Sequence, residues 1–293
     1  MSTPGISELT RLRATRPEAI TEAARRRRRR PLLAGNGRMM IIAADHPARG
    51  ALGVAGRPHA MASRLDLLER LCVALARPGV DGVLGTPDIL EDLLLLGALE
   101  NKVVVGSMNR GGLAGAAFEM DDRFTAYRAA DIERSRFDAG KLLLRIDDTD
   151  PGSLATMVGA ATAVTELAER GLTAMVEPFV SRRVDGRVRN DVSVEAVIRS
   201  IAIASGIGAT SAYTWLKVPL TRDVDDMARV AEATTLPLVL LGGEVSGDAD
   251  ATFQRWHKAL RLPSVYGLVV GRTLLYPPDD DVAGAVDTAV GLL

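Results

Sequence analysis

The sequence is poor in cysteine and histidine and has no long apolar run, and each absence excludes a class of protein. Its single cysteine, Cys72, cannot form an internal disulfide, so we expect a reducing, cytoplasmic location. The three histidines, His46, His59 and His257, are far apart in the chain, whereas a zinc site gathers several nitrogen ligands. No apolar run approaches the roughly 20 residues that cross a membrane, and the N-terminus lacks the apolar core of a secretory signal. We therefore expect no metal, no cofactor and no membrane partner.

Lysine is also scarce. Lys and Arg number 36 together, but only four are lysines: Lys102, Lys141, Lys217 and Lys258. An amine can lose its proton and attack a carbonyl, whereas a guanidinium cannot. Positions that keep lysine in so arginine-rich a chain are therefore candidates for sites that need an amine. Lys217 is the clearest case because it lies within the apolar run YTWLKVPL, and lysine is rarely buried without a partner or a function.

The run of arginines from Arg25 to Arg30 has two interpretations. It could bind nucleic acid, or it could be the solvated end of an N-terminal helix that begins near Pro17. The formal net charge of the chain is -1, and no aromatic residues are interleaved with the run. These features favour the solvated helix end, so we expect no nucleic-acid partner.

Apolar runs alternate with helical patterns along most of the chain, which is typical of a buried parallel sheet with helices on its faces. Eight such units in residues 38–293 predict one α/β domain, a (β/α)8 TIM barrel, with residues 1–37 as an N-terminal helical extension. A doubly wound open sheet is the alternative, but it more often stops at five to seven strands. The predicted strands are 38–46, 81–86, 102–109, 140–147, 172–180, 213–220, 236–244 and 266–275. The predicted helices are 62–75, 87–96, 123–137, 151–170, 193–204, 224–233, 249–260 and 281–292, with a polar loop over 181–191.

The active site of this fold lies at the C-terminal ends of the strands. Charged and small residues collect at those ends in the predicted barrel: Asp45 and His46 after the first strand, Ser107 to Asn109 after the third, Lys141, Arg145 and Asp147 on the fourth, Glu177 on the fifth, Lys217 on the sixth, Gly242 to Glu244 after the seventh, and Gly271 and Arg272 after the eighth. Each residue alone has a structural explanation, such as a turn or a cap. Their convergence on one rim is the stronger signal.

A strand-borne lysine that faces a barrel mouth suggests Schiff-base catalysis. Burial and a neighbouring cation both favour the uncharged amine, and Lys141 would supply that cation if it faces inward. A carboxylate such as Glu177 or Asp45 would move protons to and from the hydroxyl group at the cleaved bond. Glycines let the backbone approach a phosphate closely, and barrel phosphate sites lie after the last two strands. The expected reaction is a retro-aldol cleavage of a phosphorylated sugar.

The segments IIAADHPARG, AGKLLLRIDDTD, MVEPFV, TWLKVPLTRD, LVLLGGE and GLVVGRTLL resemble the class I aldolases of the DeoC/LacD type, over residues 38–275. This group includes tagatose-1,6-bisphosphate aldolases and the archaeal-type fructose-1,6-bisphosphate aldolases. The resemblance implies that Lys217 forms the Schiff base, with Asp45, Lys141 and Glu177 as its catalytic partners. It also implies a phosphate site at four residues: Gly242, Gly243, Gly271 and Arg272.

The chain most resembles an actinobacterial branch of these aldolases that is associated with inositol breakdown. That resemblance implies cleavage of 6-phospho-5-dehydro-2-deoxy-gluconate to dihydroxyacetone phosphate and malonate semialdehyde. Arg145 stands where LacD-like enzymes tend to carry aromatic residues, and it would suit the carboxylate of such a substrate or a second phosphate. Like many barrels of this kind, the protein is expected to be a homo-oligomer.

Two other functions remain open at this point. A deoxyribose-phosphate aldolase would use the same lysine with acetaldehyde as the donor. A magnesium-dependent barrel lyase or isomerase would instead hold the ion through oxygen ligands from Asp45, Asp147 and Glu177.

Overall fold

The structure, a computed structural model, describes residues 5–33, 35–221, 223–243 and 249–293. Eight parallel strands close into a barrel, because β1 pairs with both β2 and β9 and the remaining neighbours complete the ring. A ninth strand, β6, pairs only with β5, in the antiparallel sense. The strands are β1 (Met39–Ala43), β2 (Gly82–Gly85), β3 (Val103–Ser107), β4 (Ala139–Ile146), β5 (Thr173–Val184), β6 (Arg187–Asp191), β7 (Thr214–Val218), β8 (Leu238–Leu241) and β9 (Val265–Val270). The predicted (β/α)8 TIM barrel is confirmed.

Helices pack around the barrel and along its N-terminal side. They are α1 (Leu9–Thr15), α2 (Glu18–Arg26), α3 (Arg64–Ala76), α4 (Pro87–Leu95), α5 (Ala129–Arg134), α6 (Pro151–Glu169), α7 (Val194–Ser205), α8 (Met227–Glu232), α9 (Ala249–Ala259), α10 (Arg272–Leu275) and α11 (Val282–Val290). Short 3-10 turns cover Ile6–Glu8, Pro47–Arg49 and Val224–Asp226. Within the described part of the chain, no helix combines the length and the apolar character needed to cross a membrane.

Alternation along each strand divides the core in two. Successive side chains of a strand point to opposite faces, so in a barrel they point alternately inward and outward. The inward set forms a compact apolar layer that includes Met39, Ile41, Val105 and Met175, and Leu32 and Leu33 of the N-terminal segment pack against it. The outward set forms the larger core beneath the helices. The inner layer fills the lower barrel, so inward residues nearer the C-terminal ends of the strands form the floor of any site.

Residues 181–191 are not the predicted polar loop. Strand β5 continues to Val184, and β6 returns antiparallel to it from Arg187, so that the two form a hairpin. The chain turns at Asp185 and Gly186, both of which have positive φ, as a two-residue hairpin turn requires. The prediction was wrong because this polar segment has no apolar face that would identify a strand.

The arginine run is not simply the solvated end of a helix. Arg27 is buried, donates from Nη1 to the carbonyl of Lys102 at 2.7 Å and lies 3.4 Å from Asp138. Arg29 pairs with the same carboxylate at 2.8 Å, and Arg30 pairs with Asp81 at 2.5 Å. Asp138 and Asp81 each also accept a backbone N–H from an adjacent strand. The run therefore ties the N-terminal segment to the bottom of the barrel.

Two further boundaries differ from the sequence prediction. Only Ala129–Arg134 of the predicted helix 123–137 is helical, because Phe124 forms a bridge with Asn109 and the carbonyl of Arg123 accepts the N–H of Gly111. The predicted eighth strand ends at Val270, and the chain then turns into α10. Glu244, predicted to end the seventh strand, lies outside the described residues. The division of the chain at residue 37 stays a prediction.

Candidate active site

Three ionisable side chains from neighbouring strands meet directly above the apolar layer. Lys141 on β4 and Glu177 on β5 each lie two residues after an inward apolar residue, and Lys217 on β7 lies two after Trp215. The two-residue period therefore turns all three inward. All three are buried, with Lys141 at 2% and Lys217 at 6% exposure.

Glu177 bridges the two lysines. Its Oε1 accepts a hydrogen bond from Lys217 Nζ, and its Oε2 is paired with Lys141 Nζ. Lys141 Nζ also donates to Asp45 Oδ2 at 3.2 Å. Lys217, Glu177, Lys141 and Asp45 thus form a continuous buried network of alternating amines and carboxylates. It links β7, β5, β4 and the end of β1.

Asp45 is the most heavily bonded carboxylate of this network. Its Oδ2 accepts from Ser107 Oγ at 3.1 Å and from Lys141, and Arg110 Nη1 lies 3.0 Å from the same oxygen. Burial alone would raise the pKa of Asp45, but Arg110 and Lys141 outweigh it and hold the pKa well below its usual value. Asp45 is therefore ionised, with Oδ1 left on the side of His46 Nδ1, which is 3.8 Å away.

The pKa values of three neighbouring groups are lowered, each for a different balance of burial and charge. Burial would raise the pKa of Glu177, but Lys141 and Lys217 lower it to about 2. Burial lowers the pKa of Lys141, and Arg110 lowers it further, so proton loss from this amine becomes easier. Burial also lowers the pKa of His46, to about 3, which leaves its imidazole neutral.

A cavity of about 660 Å³ opens above this network at the C-terminal end of the barrel. It is lined by Asp45, Lys141, Glu177 and Lys217, and by Gly242, Gly243, Gly271 and Arg272. The structure thus brings together these eight of the residues that the sequence placed at the strand ends. The size is that of a site for a small metabolite.

The glycine side of the cavity has close backbone packing and unpaired donors. A Cβ on Gly271 would collide with the carbonyl oxygen of Ala43, and Gly243 has a φ of +70° that favours glycine. Three buried atoms on this side have no hydrogen-bond partner among the described residues: Arg255 Nε, Trp256 Nε1 and Thr273 Oγ1. Buried polar atoms are normally paired, so unpaired donors around a cavity indicate a place for a ligand oxygen.

Arg145 faces the cavity, but its terminal nitrogens are already used. Its Nη1 donates to Glu119 Oε1 at 3.0 Å, and its Nη2 donates to the carbonyl of Glu119 and lies 3.5 Å from Asp122. Arg49 pairs with the same Glu119 at 3.3 Å. Arg145 therefore holds the loop after β3 in place, and only its Nε lacks a partner within the described chain.

The carboxylates of the magnesium alternative are not brought together. Asp147 accepts the N–H and the hydroxyl group of Thr149, so it forms a local turn away from Asp45 and Glu177. In the parts of the chain that the structure describes, no group of three or more His, Cys, Asp or Glu side chains is arranged to hold a metal ion.

Two elements of the site were missing from the sequence analysis. The first is Arg110, one residue beyond the last candidate after the third strand, which lines the cavity and contacts Asp45. The second is the returning strand of the hairpin and the residue that follows it, where Val188, Arg189, Asn190 and Val192 also line the cavity. The available signal was the Asp185-Gly186 pair, which is typical of a hairpin turn, because the segment itself is polar on both faces.

Comparisons with known proteins agree with this architecture. The crystal structure of Cgl0159 from Corynebacterium glutamicum (Brevibacterium flavum) is 54% identical, with a TM-score of 0.94 over 98% of this chain and 95% of that chain. A Schiff base-forming fructose-1,6-bisphosphate aldolase is 18% identical, with a TM-score of 0.63 over 93% of this chain and 99% of that chain. An archaeal fructose-1,6-bisphosphate aldolase, solved with its catalytic lysine bound to the carbinolamine intermediate, is 16% identical, with a TM-score of 0.64 over 93% and 98% of the two chains.

The identities to the two aldolases, 18% and 16%, are low and show only that the fold is shared. No curated protein sequence matches the chain. The family described as Cgl0159-like matches residues 37–290, which is nearly the whole barrel. The protein belongs to the Cgl0159-like family.

Proposed function

We propose that this protein is a class I aldolase that cleaves or forms a C–C bond of a phosphorylated keto sugar or keto sugar acid through a Schiff base on Lys217. The observation that carries the proposal is the pair of buried lysines that share Glu177 at the floor of the cavity. Two amines and two carboxylates in contact supply both a nucleophile and a route for protons. The low-identity structural neighbours that are aldolases support the same chemistry.

In the first step, the neutral amine of Lys217 adds to the substrate ketone, and loss of water from the carbinolamine gives an iminium ion. Glu177 contacts the Nζ atoms of both lysines, so once Lys141 has lost its own proton, a proton released by Lys217 can pass through the carboxylate to Lys141. The lowered pKa of Lys141 lets this second amine give the proton back later in the cycle.

In the second step, the iminium withdraws the electron pair of the adjacent C–C bond as it breaks, which leaves an enamine on Lys217. The hydroxyl group on the departing carbon loses its proton and becomes an aldehyde. We assign acceptance of this proton to Asp45, whose Oδ1 is not used by Ser107, Lys141 or Arg110. Protonation of the enamine carbon and addition of water then release the ketone fragment and restore the free lysine.

The glycine side of the cavity suits the phosphate of such a substrate. Gly242, Gly243 and Gly271 leave backbone space there, and Arg272 supplies positive charge. The unpaired donors of Arg255, Trp256 and Thr273 add hydrogen bonds for phosphate oxygens.

The candidate substrates are 6-phospho-5-dehydro-2-deoxy-gluconate, as the resemblance to the inositol-associated branch implies, tagatose-1,6-bisphosphate and fructose-1,6-bisphosphate. All three release dihydroxyacetone phosphate as the ketone fragment, so one trapping experiment serves for all. The test is borohydride reduction of the protein with dihydroxyacetone phosphate, followed by mass spectrometry of its peptides. We expect an adduct on Lys217, and none in Lys217→Met.

The other lysines act as internal controls. Lys102 donates to the carbonyl of Val80, and Lys258 pairs with Asp225, both outside the cavity. An adduct on either of them, or no adduct with any carbonyl compound, contradicts the proposal. An adduct with acetaldehyde alone would instead indicate a deoxyribose-phosphate aldolase.

The homo-oligomeric state and the cytoplasmic location stay predictions. On α6, the exposed side chains of Leu154 and Val158 are one helical turn apart and form an apolar surface on which copies could associate. Light scattering on the purified protein measures the mass of the particle, and a mass equal to that of one chain would contradict the prediction.

A further inference from the structure

Unpaired buried polar atoms are concentrated around the cavity. Besides the three on the glycine side and Arg145 Nε, two flank Asp45: Arg110 Nη2 and His46 Nδ1, neither of which has a partner among the described residues. An unpaired buried donor costs roughly 1–3 kcal/mol, so it is retained where a ligand uses it. The two groups of unpaired atoms indicate two separate contacts with a substrate.

Arg110 is fixed in position by its other nitrogens. Its Nε donates to the carbonyl of Asn109 at 2.7 Å, and its Nη1 donates to the carbonyl of Asp45 at 3.3 Å and lies 3.0 Å from Asp45 Oδ2. The side chain is 6% exposed and lines the cavity. No described residue pairs with Nη2, so its two N–H groups remain for a further acceptor. Arg145 offers less, since both of its terminal nitrogens bond to the loop after β3.

The backbone of Arg110 and the glycines Gly242 and Gly243 lie on opposite sides of the barrel mouth, but the guanidinium of Arg110 reaches back to Asp45, which follows β1. In the ring β1-β2-β3-β4-β5-β7-β8-β9, the end of β3 and the end of β8 are four places apart in either direction. Arg110 follows β3, whereas Gly242 and Gly243 follow β8. The lysines lie on the floor between the two sides. Asp45 is the proposed acceptor of the proton on the departing carbon, so the fragment beyond the cleaved bond lies at Asp45 and extends toward Arg110.

We propose that Arg110 binds a second anionic group of the substrate, a carboxylate or a phosphate, on the side of the cleaved bond opposite the glycine phosphate site, and that it determines specificity for substrates with an anion at both ends. This inference rests on the proposed function for its account of the cleaved bond. It assigns to Arg110 the role that the sequence suggested for Arg145. Guanidinium groups bind planar oxyanions in this way, and such bonds are about twice as strong as neutral ones.

The test uses three six-carbon ligands that have no ketone and so bind without reacting with Lys217. Glucitol 6-phosphate carries one anion, glucitol 1,6-bisphosphate adds a second phosphate, and 6-phosphogluconate adds a carboxylate instead. Titration calorimetry of the wild-type protein should show that a second anion tightens binding roughly 10- to 100-fold, as one charge-assisted hydrogen-bond pair predicts. The ligand with the larger gain identifies the group, carboxylate or phosphate, that Arg110 prefers.

Arg110→Lys keeps a cation beside Asp45 but removes the planar pair of N–H groups. In this variant the gain from the second anion should fall to roughly threefold or less, while the affinity for glucitol 6-phosphate is unchanged. Arg123→Lys is the matched control, because Arg123 is exposed and its side chain bonds, among the residues that the structure describes, only to Asp121. A gain that persists in Arg110→Lys overturns the proposal. The proposal is also overturned if a second anion does not tighten binding to the wild-type protein, and this result does not depend on whether the variant folds. Borohydride trapping on Lys217 is independent of both results, so failure of the proposed function is recognised separately.

Discussion

Replacing Glu177 with glutamine tests whether its charge holds the two lysines together. The neighbouring lysines lower the pKa of Glu177 from 4.5 to about 2, and one pKa unit corresponds to about 1.4 kcal/mol. The folded state therefore stabilises the ionised carboxylate by about 3 kcal/mol relative to the unfolded chain. Glu177→Gln removes this contribution and leaves two buried amines without their shared anion, so the free energy of unfolding should fall by about 3 kcal/mol near pH 7.

The pH dependence follows from the sign of the pKa shift. The folded-state pKa is the lower one, so the contribution of Glu177 is fully present above about pH 4.5 and is lost as the pH falls toward about 2. By linkage, about 2 kcal/mol of it remains near pH 3.5. The difference in free energy of unfolding between the wild type and Glu177→Gln should therefore be about 1 kcal/mol smaller near pH 3.5 than near pH 7.

Urea denaturation followed by circular dichroism, at both pH values, measures the two differences. Glu133→Gln is the matched control, since Glu133 has a side chain that is 60% exposed and its change should stay within about 0.5 kcal/mol. If Glu177→Gln is as stable as the wild type near pH 7, or if its deficit is the same near pH 3.5, then the two lysines do not hold Glu177 ionised in the way described above.

Three further predictions concern other parts of the molecule. Lys141→Met should still form the borohydride adduct on Lys217. Its turnover should be roughly 100-fold slower or worse, because the proton route then ends at Glu177. Unchanged turnover would exclude a role for the amine of Lys141. Arg27→Ala should lower the free energy of unfolding, measured by urea denaturation, by about 3–5 kcal/mol, because it breaks a buried ion pair. Arg25 is exposed, so Arg25→Ala should lower it by less than about 0.5 kcal/mol. Equal effects would contradict the role assigned to the arginine run. Gly271→Ala should lower the melting temperature by about 2–12 °C, since overpacking costs about 1–3 kcal/mol, and an unchanged melting temperature would show that the backbone can move aside there.

The barrel could be predicted from the sequence because its strands are buried on both faces. Runs such as those around Ile41, Val104 and Leu240 are almost continuously apolar, and each is followed by a helical pattern. The hairpin of β5 and β6 was missed because it is polar on both faces, although Asp185-Gly186 is a typical hairpin turn. Residues 123–128 have a helical pattern but are not helical, because Arg123 and Phe124 form backbone contacts with the loop after β3.

The composition of the site was more predictable than its connections. The scarcity of lysine led to Lys141 and Lys217, which lie in the cavity, and equally to Lys102 and Lys258, which do not. The two-residue period was enough to place side chains inside or outside the barrel. It could not show that Glu177 bridges both amines, because that depends on the relative register of β4, β5 and β7. Arg110 reaches Asp45 only through the fold of the loop after β3, which has no local sequence signal.

The apolar layer that fills the lower barrel, together with Leu32 and Leu33 beneath it, closes the cavity at its inner end. Within the part of the chain that the structure describes, molecules therefore reach Lys217 from the C-terminal end of the barrel, where Val188 and Asn190 of the hairpin line the cavity. In the proposed reaction, the ketone fragment stays covalently bound to Lys217 after the C–C bond has broken. The free aldehyde therefore departs first, and the ketone fragment leaves by the same end of the barrel after hydrolysis frees it from the lysine.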